Sequence, residues 1–391
     1  MKEFVLLRDR RTLLYLFIGF RLMLLIVYQP YLINGVERGL STFGDFQHYY
    51  NLAALSGQGS LPYRDYWYEF PPVFPLISLT AYSLTGTAAD FTAYATLLAI
   101  IMLVFDVGNL LLIMRLGSRL HGEGTGIALG WIYGLLAVPL IFSSWTFEPI
   151  VCFALLLVLT WLTERRDLPA ALAIAFGALT KLYPLILLAA VWRFRHRDQA
   201  IRVTAITVAV TAVGIAAMLQ IAGKFGIPSL AAQFNKASYQ TVWALIDGNY
   251  RTGNFGPIAD HFLPEKAYEL LGNPARIPSW LRLIPFATIG AFVYARTRRF
   301  DDRGLLAFAT ITITIFFLWS QGWSPQWLMV LIPLLLLNFP DRNGVLISLL
   351  LMLGSFIEYP LLFARTAETA GAISGSQLPI FTALILLQPR S

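Results

Sequence analysis

Long runs of apolar residues, separated by short polar or charged stretches, recur along the whole of this 391-residue chain. A helix needs about 20 consecutive apolar residues to cross the hydrocarbon core of a bilayer. Two apolar pieces, 71–87 and 169–192, are short or interrupted. The runs that meet or approach the required length are 12–33, 91–114, 126–143, 149–163, 203–223, 279–296, 304–320, 326–339, 344–363 and 374–388. The pattern predicts one all-α polytopic membrane domain over residues 1–391, with roughly 10 to 12 transmembrane helices.

Composition excludes a soluble fold. Charged residues make up 13% of the chain, about half of the roughly 25% found in soluble domains, while 57% of the residues are hydrophobic. The net charge of +7 is expected to mark cytoplasmic loops and not a nucleic-acid partner. Because Cys152 is the single cysteine, no intrachain disulfide can form. The basic N-terminus before 12–33 predicts a retained first helix that starts inside the cell.

Basic loops bear on the topology, because Lys and Arg concentrate on the cytoplasmic side. The stretches 193–197 and 296–299 are therefore expected inside the cell. If 71–87 and 169–192 both cross the membrane, the basic loop 164–166 falls outside. If they are half-membrane or re-entrant segments, that loop falls inside. The positive-inside rule favours the second topology, and both stay open at this stage.

Three loops are expected on the external face, at 34–70, 224–278 and 319–326. Each carries polar and aromatic side chains, which suit stacking on sugars or anchoring at lipid headgroups. The arrangement fits an enzyme with one substrate in the bilayer and another in the outer compartment. We therefore expect these loops to form the active-site face, with external re-entrant or juxtamembrane helices.

The first of these loops contains the stretch Gly-Asp-Phe-Gln-His-Tyr-Tyr at 44–50. Its carboxylate, Asp45, lies beside an apolar span, where a charge is costly unless it has a task. The neighbouring aromatic residues are Phe43, Phe46 and Tyr49. Burial among these rings is expected to raise the pKa of Asp45, which improves a carboxylate as a proton acceptor.

Metal and nucleotide chemistry lack sequence support. The four histidines, His48, His121, His196 and His261, are scattered, and neither a metal-binding helix motif nor a cysteine pair occurs. The chain also lacks a glycine-rich phosphate loop, which argues against a nucleotide as the direct donor. We therefore expect no metal and no cofactor.

Ionisable residues within apolar segments are candidates for function. Arg21 and Asp106 either pair to fix the register of two helices or have a functional role. Lys181, in the break Lys-Leu-Tyr-Pro, either binds a phosphate or extends toward the interface. Glu148 either caps a helix or serves as a cavity acid, and Glu358 is a third acid near the outer end of its span.

Four elements in this order resemble the GT-C class of membrane glycosyltransferases. Within that class the chain is most similar to family 87, the polyprenol-phosphate-mannose-dependent α-mannosyltransferases. The elements are the stretch 44–50, Tyr-Glu-Phe-Pro-Pro at 68–72, Lys-Leu-Tyr-Pro at 181–184 and Ser-Pro-Gln-Trp at 324–327. One departure is Glu148, where many relatives in the wider class carry Asp after Gly-Gln.

The resemblance implies that Asp45 is the catalytic base and that the donor is a sugar linked to polyprenyl phosphate. Lys181 and Arg251 are the candidate cations for the leaving phosphate. The transfer would be inverting, with a hexose (mannose as first candidate) passing to a lipid or glycan acceptor. We expect it at the external face of a prokaryotic plasma (inner) membrane, among membrane lipids and without nucleic acid. Residues expected to bind substrate are Tyr68, Glu69, Glu148, Tyr183, Gln240, Trp243 and Gln326.

Two other functions compete with this interpretation. A secondary transporter, or a flippase of a lipid-linked or small polar substrate, is also polytopic with broken helices and intramembrane charges. Transporters commonly contain inverted repeats and midplane binding sites, whereas this sequence shows no repeat and concentrates its polar residues in external loops. A non-catalytic scaffold does not account for the acidic, aromatic first loop. Sugar transfer from a polyprenyl-phosphate donor separates the enzyme from both alternatives.

Overall fold

A computed structural model describes residues 5–27, 31–33, 36–38, 45–86, 90–253, 255–366, 369, 371–375 and 377–387. Helices form most of this part of the chain, which confirms the predicted all-α membrane fold. The α-helices are α1 Val5–Arg8, α2 Arg10–Val27, α3 Asp45–Ala54, α4 Val73–Leu84, α5 Phe91–His121, α6 Glu123–Leu135, α7 Ala137–Phe142, α8 Glu148–Thr163, α9 Asp167–Thr180, α10 Leu188–Phe194, α11 Arg197–Ile221, α12 Gly226–Ala231, α13 Val242–Asp247, α14 Ser279–Arg296, α15 Asp302–Trp319, α16 Leu328–Asn338, α17 Arg342–Phe356, α18 Phe363–Thr366 and α19 Gln377–Leu387. Short 3₁₀ helices are Leu55–Gln58, Tyr183–Leu187, Ile258–Phe262, Pro264–Tyr268 and Pro325–Trp327, and a π-helical turn is Ile357–Leu362.

Within the described ranges, four helical segments are long and apolar enough to cross a membrane. They are α5, α11, α15 and the continuous segment Arg342–Leu362. The 31 residues of α5 extend about 46 Å at 1.5 Å per residue, which exceeds the hydrocarbon thickness of a bilayer. Shorter apolar helices pack between the long ones, with α8 lying against α5 and α9. The protein is therefore an integral membrane protein.

The predicted span 12–33 is wrong at its C-terminal end. Helix α2 stops at Val27, and Tyr31–Ile33 forms strand β1, which pairs antiparallel with β2, Val36–Arg38. The sequence carries Asn-Gly at 34–35, a dipeptide typical of two-residue hairpin turns, although those two residues lie outside the described part. That signal, and not hydropathy, could have predicted the hairpin.

One end of the bundle collects basic loops, and we call it the charged end. Ion pairs join these loops across helices: Arg10–Glu123 at 3.0 Å, Arg115–Glu164 at 2.6 Å, Arg119–Asp302 at 2.9 Å and Arg195–Asp167 at 2.7 Å. The Arg193 guanidinium donates to the Thr297 carbonyl at 2.7 Å, so the loop after α14 also lies there. The basic stretches 164–166, 193–197 and 296–299 thus share one end, as the re-entrant topology requires.

The segment from α9 to α10 is a broken hairpin. Helix α9 leaves the charged end and stops at Thr180, and Lys181 adopts an extended conformation. The 3₁₀ helix Tyr183–Leu187 and α10 then return to the charged end, where Arg195 pairs with Asp167 at the start of α9. Fourteen helical residues extend only about 21 Å, so α9 reaches part of the way through a bilayer.

Helix α4 lies alongside α3 and does not lead to the charged end. Near its start, the Phe74 ring centroid is 4.6 Å from that of Tyr49, and near its end the Tyr82 ring centroid is 6.1 Å from that of Tyr50. Both Tyr49 and Tyr50 belong to α3, so α4 stays beside α3 over its length. Neither α4 nor the broken hairpin carries the chain from one end of the bundle to the other, which agrees with the topology that has half-membrane segments.

Arg21 and Asp106 form an ion pair within the helical core. The Arg21 Nε atom lies 2.6 Å from Asp106 Oδ2, and both side chains are almost fully buried. The Tyr133 hydroxyl donates to the other Asp106 oxygen, and the guanidinium lies 3.4 Å from the Phe17 ring centroid. The pair joins α2, α5 and α6, which agrees with the register-fixing interpretation.

Gly126 sets the close approach of α5 and α6. A Cβ at this position would lie 2.5 Å from the Met114 carbonyl oxygen and 2.2 Å from the Ser118 hydroxyl. We expect Gly126→Ala to destabilise the protein by about 1–3 kcal/mol, because the two backbones must separate. Thermal unfolding in detergent measures the change.

Gly124, on the same helix, provides the matched control. A Cβ there would meet nothing within 4 Å. Gly124→Ala is therefore expected to stabilise α6 by up to about 1 kcal/mol, the helix-propensity difference between the two residues. Equal effects of the two substitutions would contradict this account of the α5–α6 contact.

Candidate active site

Asp45 is the first residue of α3, where the partial positive charge of a helix N-terminus favours a carboxylate. Its Oδ2 atom accepts hydrogen bonds from the Gln326 amide at 2.9 Å and from the Tyr49 hydroxyl at 3.2 Å. Tyr49 lies one turn further along the same helix, so α3 fixes the position of this donor. Phe43 and Gly44, which the sequence places beside Asp45, lie outside the described residues.

Burial raises the pKa of Asp45 to about 6. The hydrogen bonds from Gln326 and Tyr49 and the positive charge of Lys181 oppose this rise, whereas the negative charge of Glu69 adds to it. The expected upward shift is therefore confirmed. A carboxylate of this pKa is ionised at neutral pH and accepts a proton more readily than an ordinary aspartate.

The loop that carries Gln326 is fixed to the second external loop at Tyr239. The backbone amide of Tyr239 donates to the Gln321 carbonyl at 3.1 Å, and the backbone amide of Trp323 donates to the Tyr239 carbonyl at 3.2 Å. Between them, Gly322 has no room for a side chain, since a Cβ would lie 2.1 Å from the Tyr239 ring. Two of the three predicted external loops thus meet beside the carboxylate.

Lys181, at the turn of the broken hairpin, forms an ion pair with Glu148 at the start of α8. The Glu148 carboxylate is completely buried, and its second oxygen has no hydrogen-bond partner. The Lys181 ammonium lies 5.1 Å from the Phe147 ring centroid and 5.3 Å from that of Trp327. These contacts place the Lys181 ammonium between the start of α8 and the loop of Gln326.

A second ion pair, Glu69–Lys236, also lies near enough to Asp45 for the Glu69 charge to act on it. The Lys236 ammonium is 2.5 Å from Glu69 Oε2 and 6.0 Å from the Phe70 ring centroid. The sequence predicted Glu69 but not Lys236, which is one of several polar residues in the long loop 224–278. No local signal distinguishes it, because the partner lies 167 positions away in the sequence.

Aromatic rings fill the space between the two ion pairs. The Phe147 ring centroid is 4.1 Å from that of Phe74 and 4.8 Å from that of Phe70. Tyr68, which precedes Glu69, and Tyr183, two residues after Lys181, are also buried. Neither hydroxyl has a hydrogen-bond partner. These rings exclude water from the groups around Asp45, which strengthens electrostatic interactions there.

Three residues with predicted roles, one in binding the donor phosphate and two in binding substrate, form hydrogen bonds that hold the loop 224–278 in place. Arg251 donates to the Leu271 carbonyl at 2.7 Å, and the Trp243 indole donates to the Leu318 carbonyl at 3.1 Å. Gln240 is fully buried and donates to Glu358 at 2.5 Å. Neither of the bonds from Arg251 and Trp243 leads to Asp45, and the functional roles of all three residues remain predictions.

Five of the predicted residues therefore converge. We call them, together with Lys236, the Asp45 cluster, which comprises Asp45, Glu69, Glu148, Lys181, Lys236 and Gln326. It lies away from the charged end, at the first turn of α3, the start of α8 and the turn of the broken hairpin. Within the described part of the chain, no group of three or more His, Cys, Asp or Glu side chains is arranged to hold a metal ion.

The family model described as Glycosyltransferase family 87 matches residues 70–320, well over half of the chain. The chain belongs to glycosyltransferase family 87. Because this family is a branch of the GT-C class, the predicted class is confirmed with it. The matched range contains Glu148, Lys181 and Lys236, whereas Asp45, Glu69 and Gln326 lie outside it.

Solved structures of two proteins resemble the family 87 chain at low sequence identity. ArnT from Cupriavidus metallidurans, bound to undecaprenyl phosphate, is 16% identical with a TM-score of 0.49, over 97% of this chain and 70% of that one. The Archaeoglobus fulgidus oligosaccharyltransferase in its apo form is 13% identical with a TM-score of 0.46, over 97% and 54%. This chain spans about half the length of the oligosaccharyltransferase. A comparison with curated proteins gave no match.

Proposed function

We propose that the protein is an inverting glycosyltransferase that uses a sugar linked to polyprenyl phosphate. It transfers a hexose, with mannose as the first candidate, to a hydroxyl of a lipid or glycan acceptor. The observation that carries the proposal is the Asp45 carboxylate, held by two donors, with its pKa raised to about 6 and an ion-paired lysine beside it. Membership of a glycosyltransferase family favours this function over a transporter or flippase.

The proposed reaction is a single displacement. The acceptor oxygen forms a bond to the anomeric carbon of the donor, while the bond from that carbon to the phosphate oxygen breaks. The electron pair of the broken bond stays on the phosphate, and Asp45 receives the hydroxyl proton. One displacement inverts the anomeric centre, so a β-linked donor gives an α-linked product. Lys181 supplies positive charge near the developing phosphate.

The membrane we propose is a prokaryotic plasma membrane, and the charge distribution supports an active site on its external side. Basic loops collect at the charged end, and cytoplasmic loops are the basic ones in membrane proteins. The Asp45 cluster lies away from that end, so it is assigned to the outer side. A donor with a polyprenyl chain can approach through the bilayer, and the acceptor can approach from the outer compartment.

The test is sugar transfer from a polyprenyl-phosphate hexose by the purified protein in detergent, measured across pH. We expect kcat/KM to be level above pH about 7 and to fall as the pH drops through about 6, because protonated Asp45 cannot accept a proton. The fall should approach tenfold per pH unit. Transfer that is independent of pH between 5 and 7 would remove Asp45 as the base. Absence of transfer with any polyprenyl-phosphate hexose would contradict the function itself.

A further inference from the structure

The leaving phosphate needs a cation that it can reach, and Lys181 is poorly placed to exchange partners. Only 13% of the Lys181 side chain is exposed, and its partner Glu148 is fully buried. The ammonium also lies between the rings of Phe147 and Trp327. Moving it to a phosphate would leave a carboxylate unpaired in the protein interior, which is costly.

Lys236 differs from Lys181 in its exposure. Its side chain is 42% exposed, although its partner Glu69 is 7% exposed. An ammonium has three N–H donors, and partial exposure to solvent weakens its electrostatic attraction to a single carboxylate. Lys236 can therefore take a second anionic partner without first leaving a closed site.

Lys236 also lies close to the reacting carboxylate. It contacts the Phe70 ring, whose centroid is 6.1 Å from that of Tyr49, and Tyr49 donates to Asp45. Glu69 is near enough for its charge to act on the Asp45 carboxyl. An anion bound by Lys236 would thus lie beside the base that receives the acceptor proton.

We propose that Lys236 binds the phosphate of the lipid-linked donor and stabilises its charge as the sugar leaves. This assignment rests on the proposed function and concerns the same site. When the bond from the anomeric carbon to the phosphate oxygen breaks, the oxygen keeps the electron pair and the phosphate gains one negative charge. In the free protein the Lys236 ammonium pairs with Glu69. In the proposed complex it also donates a hydrogen bond to the phosphate.

The experiment measures binding of decaprenyl phosphate by calorimetry, which requires no turnover. Lys236→Met is expected to weaken binding about tenfold to a hundredfold, because one charge-assisted hydrogen bond is lost. Lys236→Arg keeps the charge and should bind within about threefold of the original protein. Lys266→Met is the control for the loss of one partly exposed lysine, since Lys266 lies in the same loop and pairs with the exposed Glu269 at 2.7 Å. It should bind normally.

A second variant controls for loss of binding that is caused by misfolding. Lys236→Met leaves Glu69 buried and unpaired, so Glu69→Gln/Lys236→Met removes both charges together. The double variant should be as stable as the original protein in thermal unfolding and should still bind decaprenyl phosphate at least tenfold more weakly. Binding within twofold of the original protein in this variant would overturn the proposal. Because binding is read without transfer, that result would leave the proposed function standing, whereas absent transfer by the original protein would not.

Discussion

Replacing Asp45 by Asn is expected to lower kcat/KM for sugar transfer by about a thousandfold or more while the protein folds normally. The amide has the shape of the carboxylate and still accepts hydrogen bonds from Gln326 and Tyr49, which now hold Asp45. It cannot take a proton from the acceptor hydroxyl, and a positioned general base contributes about 10²–10⁴-fold to rate. The measurement is transfer of labelled hexose in detergent, with circular dichroism as the check on folding.

The same substitution, which lowers activity, is not expected to lower stability. The pKa of Asp45 is raised in the folded protein, so the folded state binds its proton more tightly than the unfolded chain does. This contribution is present below pH about 4 and is lost as the pH rises through about 6. At pH 8, Asp45→Asn should therefore leave the Tm unchanged or increase it, which is typical of a residue kept for activity.

Asp198→Asn is the control for the loss of one carboxylate. Asp198 is exposed in the first turn of α11, next to the charged end. Its replacement should leave both transfer and Tm close to those of the original protein. If Asp45→Asn retained transfer within tenfold of the original rate, the general-base role would be wrong, whatever the control showed.

Sequence patterns predicted the parts of this fold that depend on burial of apolar surface. Run lengths predicted a helical membrane protein, and a charge within an apolar segment marked Arg21 and Asp106 as partners. Length alone did not show that α9 turns back at Lys181, because a broken hairpin and a full span bury similar side chains. The paired loops at the charged end, through Arg195 and Asp167, decide that point.

The Asp45 cluster was only partly predictable because its members are far apart in the chain. Asp45 and Gln326 are separated by 281 positions, and family resemblance marked each of them as a site residue without predicting their hydrogen bond. Lys236 had no such signal. Gln240 was predicted to bind substrate from its place in a polar loop, and its side chain is buried with its amide donating to Glu358, a contact that the sequence did not indicate. Composition of a loop does not reveal which side chains turn inward.

Replacing Lys181 by Met is expected to destabilise the protein by about 3–5 kcal/mol, the largest stability change anticipated for this site. The substitution leaves Glu148 completely buried with no cation beside it, and an uncompensated buried charge is severely unfavourable. Arg115→Met is the matched control, because Arg115 pairs with Glu164 at 2.6 Å while 59% of its own side chain is exposed. The control should cost less than about 1 kcal/mol. Thermal unfolding in detergent measures both.

The double variant Glu148→Gln/Lys181→Met separates the structural role of the pair from its role in catalysis. Removing both charges should recover most of the lost stability, since neither an unpaired carboxylate nor an unpaired ammonium remains. Transfer should stay at least tenfold lower than in the original protein, because Asp45 and the leaving phosphate lose the positive charge beside them. A double variant that regained both its Tm and its transfer rate would show that Lys181 and Glu148 only join α8 to the broken hairpin. The charge for the phosphate would then have to come from the exposed lysine, Lys236, alone.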